Sequence, residues 1–339
     1  MRFILLTLAL SIVSVAYSQK KKTEPTSQPA SAPQQSPIEV KTSGMKKYPG
    51  FFEFYYDEKQ DKIYLLIDKF DTEFLYVESL TAGIGSNDIG LDRNQLGRER
   101  VVKFQRRGPK VLLTELNLGF RAISNDEAER KAVEESFAQS VLFGFTISAE
   151  ESGKVLVDAS DFLQQDAHDV IGGLRNTQQG TYSLDKSRSA FYLPRIKNFP
   201  LNSEFESTLT FAGQPAGGWI RSVTPTPTSV TVREHYSFIQ LPDNNYKPRK
   251  FDPRSGYYSM SYYDYATPIS ESLEKRFITR HRLEKKDPNA AISEAVKPIV
   301  YYMDPGAPEP IRSALIDGAR WWNQAYEAAG YKDAFRVEV

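Results

Sequence analysis

The amino-acid sequence predicts an α+β chain built mainly of strands, and three observations carry that prediction. First, 19 Tyr and 20 Phe in 339 residues are side chains that suit half-buried pleated surfaces better than a helical bundle. Second, short runs of β-branched and aromatic residues recur between turn-forming clusters such as DEKQD (57–61), DKFDTE (68–73) and RRGPK (106–110). Third, the stretch Ser229–Leu241 alternates apolar and polar residues, the period of a strand with one dry and one wet face.

In chain order, Met1–Ser18 places one Arg before an apolar run from Phe3 to Val15 and the small residues Ala16 and Ser18 at its end. This is the pattern of a signal peptide cut before Gln19, and it predicts export to the periplasm or the extracellular space. The apolar run is short for the roughly 30 Å of a bilayer core, so no membrane span is expected after cleavage. With no cysteine in the chain, disulfides, thiol catalysis and a cysteine-borne lipid anchor are excluded. Residues 19–44 are rich in Pro, Ser, Gln and Lys and are expected to form a disordered linker.

A β-rich domain is predicted over 45–290. Its opening strands are expected at 51–56, 62–68, 74–79, 101–105 and 110–115, as a meander of hairpins. A helix then starts at a capping box formed by Ser124 and Glu127, with Ala128, Ala132, Val133 and Phe137 as its apolar stripe. Strands follow over 141–147 and 154–159, and a short helix over 160–170. In the strand at 229–241, Val230, Val232, Tyr236 and Phe238 are expected to face the core, and Thr231, Arg233, His235 and Ser237 to face solvent. A Pro turn and a tyrosine cluster (250–270) lead to the basic run 274–290, read as a helix. Beyond it come a strand near 296–305 and a helix from Pro310, whose buried face is expected to carry Ile311, Leu315, Gly318, Trp322, Ala325 and Ala329. Gly330 stops that helix, and a final strand begins at Phe335.

Chemistry is sparse. Lys plus Arg and Asp plus Glu are both 43, so the net charge is zero and nucleic acid is not an expected partner. Zinc hydrolysis on a helix needs two histidines four residues apart; the three present, His168, His235 and His281, are far apart in sequence. His168, between Asp166 and Asp169, reads as a surface histidine on an acidic helix, and His281 lies between arginines. No Gly-x-Ser-x-Gly elbow is present in a strand-to-helix context. GIGSNDIG resembles a dinucleotide fingerprint, but Asp88 occupies the third glycine position. Asp88, Asp92, Asn94 and Glu99 have some of the spacing of a calcium loop, yet Arg93 replaces its turn glycine and Gly90 removes a ligand. The segment is therefore read as a turn packed on the sheet. No catalytic, cofactor-binding or metal-ligating residue is predicted, and Trp321 and Trp322 are assigned to packing.

Five stretches taken together, Gly83–Gly97, Val101–Leu113, Ala132–Phe145, Phe251–Ala266 and Val296–Gly330, resemble the front part of a family of exported bacterial zinc-dependent metalloproteases. In that family an uncharacterised β-rich domain precedes a metzincin-like catalytic domain. The resemblance implies that residues 291–339 are the opening strand, helix and strand of the α/β catalytic domain. It also implies that the signature His-Glu-x-x-His-x-x-Gly-x-x-His lies downstream, where its histidines hold zinc. None of those positions occurs in this chain, which is expected to be inactive alone and to bind no zinc. The implied partners are a protein or peptide substrate and the downstream catalytic half. The other reading open at this point is a non-catalytic secreted β-rich binding or inhibitory module.

Overall fold

The computed structural model describes residues 36–339; the expected signal peptide and most of the expected linker lie outside the described residues. Order reaches further toward the N-terminus than the boundary at residue 45. Helix α1 (Pro37–Thr42) opens with a capping box in which Ser36 Oγ accepts from Glu39 N and Glu39 Oε2 accepts from Ser36 N. Ile38 is buried in a socket of Tyr55, Tyr64, Leu66 and Leu156, while Val40 stays exposed; that one anchor is why a polar-looking stretch folds here.

The strands that follow are β1 (Lys46–Tyr48), β2 (Phe54–Asp57), β3 (Lys62–Ile67), β4 (Phe74–Ala82), β5 (Gln95–Arg107), β6 (Lys110–Glu115) and β7 (Phe120–Arg121). Then come α2 (Glu127–Ser136), β8 (Ser140–Glu151), β9 (Lys154–Asp158), α3 (Ser160–Leu163) and α4 (Val170–Asn176). Next are β10 (Gly180–Leu184), β11 (Ala190–Phe191), β12 (Lys197–Asn198), β13 (Asn202–Pro215), α5 (Gly218–Val223) and β14 (Ser229–Gln240). The remainder is β15 (Ser259–Asp264), β16 (Glu274–Ile278), β17 (Ser293–Glu294), β18 (Ile299–Tyr302), α6 (Ile311–Arg320), α7 (Trp322–Ala328), β19 (Tyr331–Lys332) and β20 (Phe335–Glu338).

One 13-stranded sheet organises the body, in the order β1-β2-β3-β9-β8-β6-β5-β4-β14-β13-β10, with β11 and β12 also on β13. The expected meander is interrupted: the β8–β9 hairpin is inserted between β3 and β6, so β3 and β4, consecutive in sequence, are far apart in the sheet. The ends of the sheet approach each other, leaving it nearly closed. Phe51 N donates to Phe199 O at 2.8 Å, and Asn198 Nδ2 lies 2.8 Å from both Tyr48 O and Phe52 O. The enclosed core is aromatic: Phe52, Phe54, Phe74, Phe104, Phe205 and Phe238 are fully buried. Phe52 meets its neighbours edge to face, at 5.0 Å from Phe74 and 5.4 Å from Phe104, a favourable arrangement for aromatic quadrupoles. On β14 the four predicted core positions are buried.

Three helical expectations are corrected. Helix α2 is capped by Asp126, whose carboxylate accepts from Ala128 N at 2.8 Å, while Ser124 Oγ accepts from Asp126 N; Asp126 is closer to the helix than Ser124 and reaches its free amides directly. Of the stripe, Ala128 and Ala132 are exposed; Val133 and Phe137 are half-buried, Phe137 stacked on Phe120 at 3.9 Å. The basic run is not a helix: β16 pairs antiparallel with β15, which runs parallel to β7. Sheet pairing there overrides a pattern that charge alone had suggested.

In the C-terminal unit β18 is parallel to β20 and β17 to β19, with α6 and α7 in the crossover. The helix face that packs is not the predicted one. Ile316, Ala319 and Tyr326 meet Ile299, Phe335 and Val337, and Asn323 Oδ1 accepts from Phe335 N at 3.2 Å. Ile311, Leu315 and Trp322 point to solvent. Both faces fit a helical period, and Asn323 makes the packed one look less apolar in sequence.

Candidate functional site

The same alternation that places Val232 and Tyr236 in the core places Glu234 there too, at 0 % exposure. A carboxyl so deeply buried must be hydrogen-bonded or protonated. Glu234 Oε2 accepts from Ala167 N (3.0 Å) and His168 N (3.3 Å) and lies 3.2 Å from the Tyr236 hydroxyl oxygen, whose single hydrogen goes to the nearer Gln165 O. Its Oε1 has no partner. Burial, and then the charge of Asp166, hold its pKa well above the usual carboxylate range.

Asp166 lies in the α3–α4 connection and accepts from Val170 N (2.7 Å) and Ile171 N (2.9 Å). Its pKa is also raised, by burial first, against the lowering effect of those two amides, with Asp169 adding repulsion. Two further sheet side chains pin the same connection: Ser207 Oγ donates to Leu163 O at 2.6 Å and the Tyr236 hydroxyl to Gln165 O at 2.8 Å. One strand further along, Glu78 on β4 is 2 % exposed and accepts from Arg98 N at 2.9 Å. Arg100 stands 3.7 Å from it, 3.7 Å from Glu115, and over the Tyr76 ring. Gly97 makes room for this carboxylate, since a Cβ there would lie 2.0 Å from Glu78 Oε2. Glu78 Oε2, Arg100 Nη1 and His168 Nδ1 are buried without partners, like Glu234 Oε1. Glu234 and Glu78 are thus closed off from solvent, where they hold the backbone of the α3–α4 connection and of β5 in place.

On the opposite side of β14, His235 bridges two acids, Nε2 to Glu204 at 2.7 Å and Nδ1 to Glu206 at 3.1 Å. Burial lowers the imidazole pKa, but the two carboxylates outweigh it and raise it to about 9. Glu204, which also accepts from Ser237 Oγ at 2.5 Å, is held below its ordinary value by these bonds despite its burial.

The structure does not bring the sequence-flagged residues together. His168 sits in the α3–α4 connection, half-buried, with Nε2 3.2 Å from Gln95 Oε1, so it is neither on a helix nor simply at the surface. His235 is on the expected face but tied into an ion triad. His281 lines a cleft of about 370 Å³ with Asp243, Tyr246, Arg282 and Lys297, where the body meets the C-terminal unit. In the 86–95 loop Ile89 and Leu91 are buried; Glu99 is in β5, Arg93 forms an ion pair with Asp304, and Asn94 takes a left-handed backbone. Among the described residues no group of three or more His, Asp and Glu side chains is arranged to hold a metal ion; in the one His–Glu triad both His235 nitrogens face carboxylates. Sequence reasoning missed Glu234 and Glu78. The signal was present, a carboxylate at an apolar phase of a strand pattern, in Val232-x-Glu234-x-Tyr236 and Tyr76-x-Glu78-x-Leu80.

A nearly closed antiparallel sheet with buried acids and a short helical plug defines a β-rich module. The chain belongs to the family described as Domain of unknown function (DUF5117), whose model matches residues 94–286. A second, Domain of unknown function (DUF5118), matches residues 35–83. The matched segments build one sheet, because β4 in one is hydrogen-bonded to β5 in the other. No curated protein and no solved structure matches the chain.

Proposed function

We propose that this chain is the leading part of an exported zinc-dependent metallopeptidase, in which β18, α6–α7 and β20 open the catalytic domain. Zinc ligands and the proton-handling glutamate then lie in polypeptide that follows Val339. The observation that carries this reading is the second apolar face of the helix pair. Ile311 (56 % exposed), Leu315 (50 %), Trp321 (66 %) and Trp322 (60 %) stand in solvent, although α6 already packs another face on β18 and β20. Contiguous exposed apolar surface of this kind marks a docking site, and the downstream half of the domain is the occupant proposed here. The five sequence stretches that resemble the protease family support the same assignment.

In this reading zinc supplies polarisation of the scissile carbonyl and activation of water. No residue of this chain takes part in that chemistry; its contribution is the scaffold against which the catalytic half folds. The test is to read the codons after Val339 and to express both the 339-residue chain and the extended protein. A downstream His-Glu-x-x-His signature, with stoichiometric zinc and chelator-sensitive casein cleavage only in the extended protein, is the expected result. Chelator-sensitive cleavage by the 339-residue chain itself, or an in-frame continuation without the signature, would overturn it in favour of a binding module.

A further inference from the structure

We propose that the open edge of β15 is a docking site for an extended peptide segment that alternates acidic and apolar residues and adds to the sheet as a further strand. The site lies wholly within the body and does not rest on the downstream catalytic half. Hydrogen bonding fixes which groups face the edge. Asp264 N donates to Leu273 O at 2.9 Å and Thr279 N to Tyr258 O at 3.0 Å, so the even-numbered residues of β15 exchange their bonds with β16. The odd-numbered ones turn theirs to the other side, where Tyr263 N donates to Gly119 O at 2.8 Å and Tyr265 N to Arg121 O at 2.7 Å. β7 is two residues long, and its register reaches only Tyr263 and Asp264. Ser259 and Ser261 therefore present N–H and C=O groups along a track that β7 leaves empty, and both residues are exposed.

An exposed edge is a template for pairing, and folded proteins blunt it with Lys, Pro or a bulge. Ser259–Ser261 carries none of these: the β15–β16 register is unbroken, and the edge is two serines flanking Met260. Its two faces differ in chemistry. On the face of the serines stands Arg276, opposite Ser261 in the register. Its Nη2 donates to Ser259 Oγ at 3.1 Å, which carries the guanidinium toward the edge, and the Glu274 carboxylate is 4.0 Å away. Arg249, one residue from the Lys250–Phe277 bridge, adds a second cation on that face. On the other face Tyr258 (91 % exposed) and Met260 (57 %) stand in solvent. Charge selects the occupant. Between Asp243 and Lys286 the chain carries ten Lys and Arg against six Asp and Glu, although the whole chain is neutral. A second copy pairing through this edge would bring two basic surfaces together. A strand with acidic residues beside Arg276 and apolar residues beside Met260 and Tyr258 complements both faces at once.

Fluorescence anisotropy on the full chain tests this with a fluorescein-labelled, end-capped octapeptide alternating Glu and Val. Binding is expected to weaken with salt. It should fall about tenfold or more when Lys replaces Glu in the peptide, or in the protein variant Arg276→Glu, the size of one lost charge-assisted bond. Backbone pairing is read with peptides N-methylated on either the Glu or the Val amides. A strand turns alternate N–H groups to one neighbour, so one set should abolish binding and the other leave it intact. Loss with the Glu set assigns an antiparallel strand, loss with the Val set a parallel one. Ser261→Pro deletes an edge N–H that no bond in the structure uses, and it should lose the peptide while amide exchange of the β15–β16 ladder stays as in the wild type. Should that variant unsettle the ladder, the methylated peptides carry the test alone. Binding kept or lost equally with both methylated sets would reveal a general polyanion patch. Self-association of the chain that Ser261→Pro abolishes would reveal an edge reserved for a second copy. Either result overturns the proposal, as does no binding at low salt.

Discussion

The β-rich body and the C-terminal unit are both rich in aromatic residues, yet they use them in opposite ways. In the body, Phe52, Phe74, Phe104 and Phe238 are at most 1 % exposed, because a curved sheet of 13 strands wraps around them. In the C-terminal unit the parallel pair β18–β20 covers only one side of α6 and α7, and neither helix has a fully buried residue. Apolar content alone therefore does not make a core. Enclosure does, and it requires enough strands to surround the side chains.

The sharpest way to break this contrast is truncation at equivalent aromatic positions. Phe238→Ala, inside the body, is expected to cost about 4 kcal/mol in denaturant unfolding monitored on the body. Trp322→Ala should lie within about 0.5 kcal/mol in the same measurement, as for exposed sites generally. Comparable losses at both sites would mean that the second helix face is covered in this chain.

Next in size is the ion triad on β14. His235→Gln removes a cation bonded to two carboxylates and should cost about 2 kcal/mol near neutral pH. The folded imidazole pKa of about 9 exceeds its ordinary 6.5, so the stabilisation is complete below pH 6.5 and is lost as pH rises through 9. The lowered Glu204 works the other way, its contribution being present above its ordinary value and lost on acidification. Stability of the wild type minus His235→Gln, followed by urea titration from pH 5 to 10, should therefore shrink on the alkaline side; a constant difference would contradict the triad.

A smaller effect sharpens the comparison within the C-terminal unit. Ile316→Ala should destabilise the β18–β20 unit by about 1 kcal/mol and Leu315→Ala by less than about 0.5, because only the former touches Ile299 and Phe335. Hydrogen exchange of the Val337 amide reports it. Smallest of all, Arg93→Ala breaks the exposed pair with Asp304 and should change stability by about 0.5 kcal/mol or less, vanishing in high salt.

These regions also differ in how much the sequence disclosed. Alternation in Ser229–Leu241 identified the buried Val230, Val232, Tyr236 and Phe238, because a strand's two-residue period admits only one core face. The helix Ile311–Ala328 has apolar residues on two faces, and its period could not rank them; the polar Asn323 on the packed face is satisfied by Phe335 N, a long-range bond that no local pattern encodes. The insertion of β8–β9 between β3 and β6 was hidden for the same reason, since strand order depends on distant pairing. Of the buried acids, Glu234 and Glu78 were visible as exceptions in apolar registers. Their partners, Arg100 for Glu78 and the amides of Ala167 and His168 for Glu234, are brought to them only when β4, β5, β14 and the α3–α4 connection come together.

The central claim is that the solvent-facing side of α6 and α7 is the seat of a downstream catalytic half. A variant with Trp219 and Trp321 replaced by Phe leaves Trp322 as the single tryptophan of the 339 residues; with every tryptophan beyond Val339 also replaced by Phe in the extended protein, iodide quenching excited at about 295 nm measures its access to water. The account predicts strong quenching in the 339-residue chain and shielding, with a blue-shifted emission, in the protein extended beyond Val339. Equal quenching in both, or shielding already present in the 339-residue chain, would contradict it.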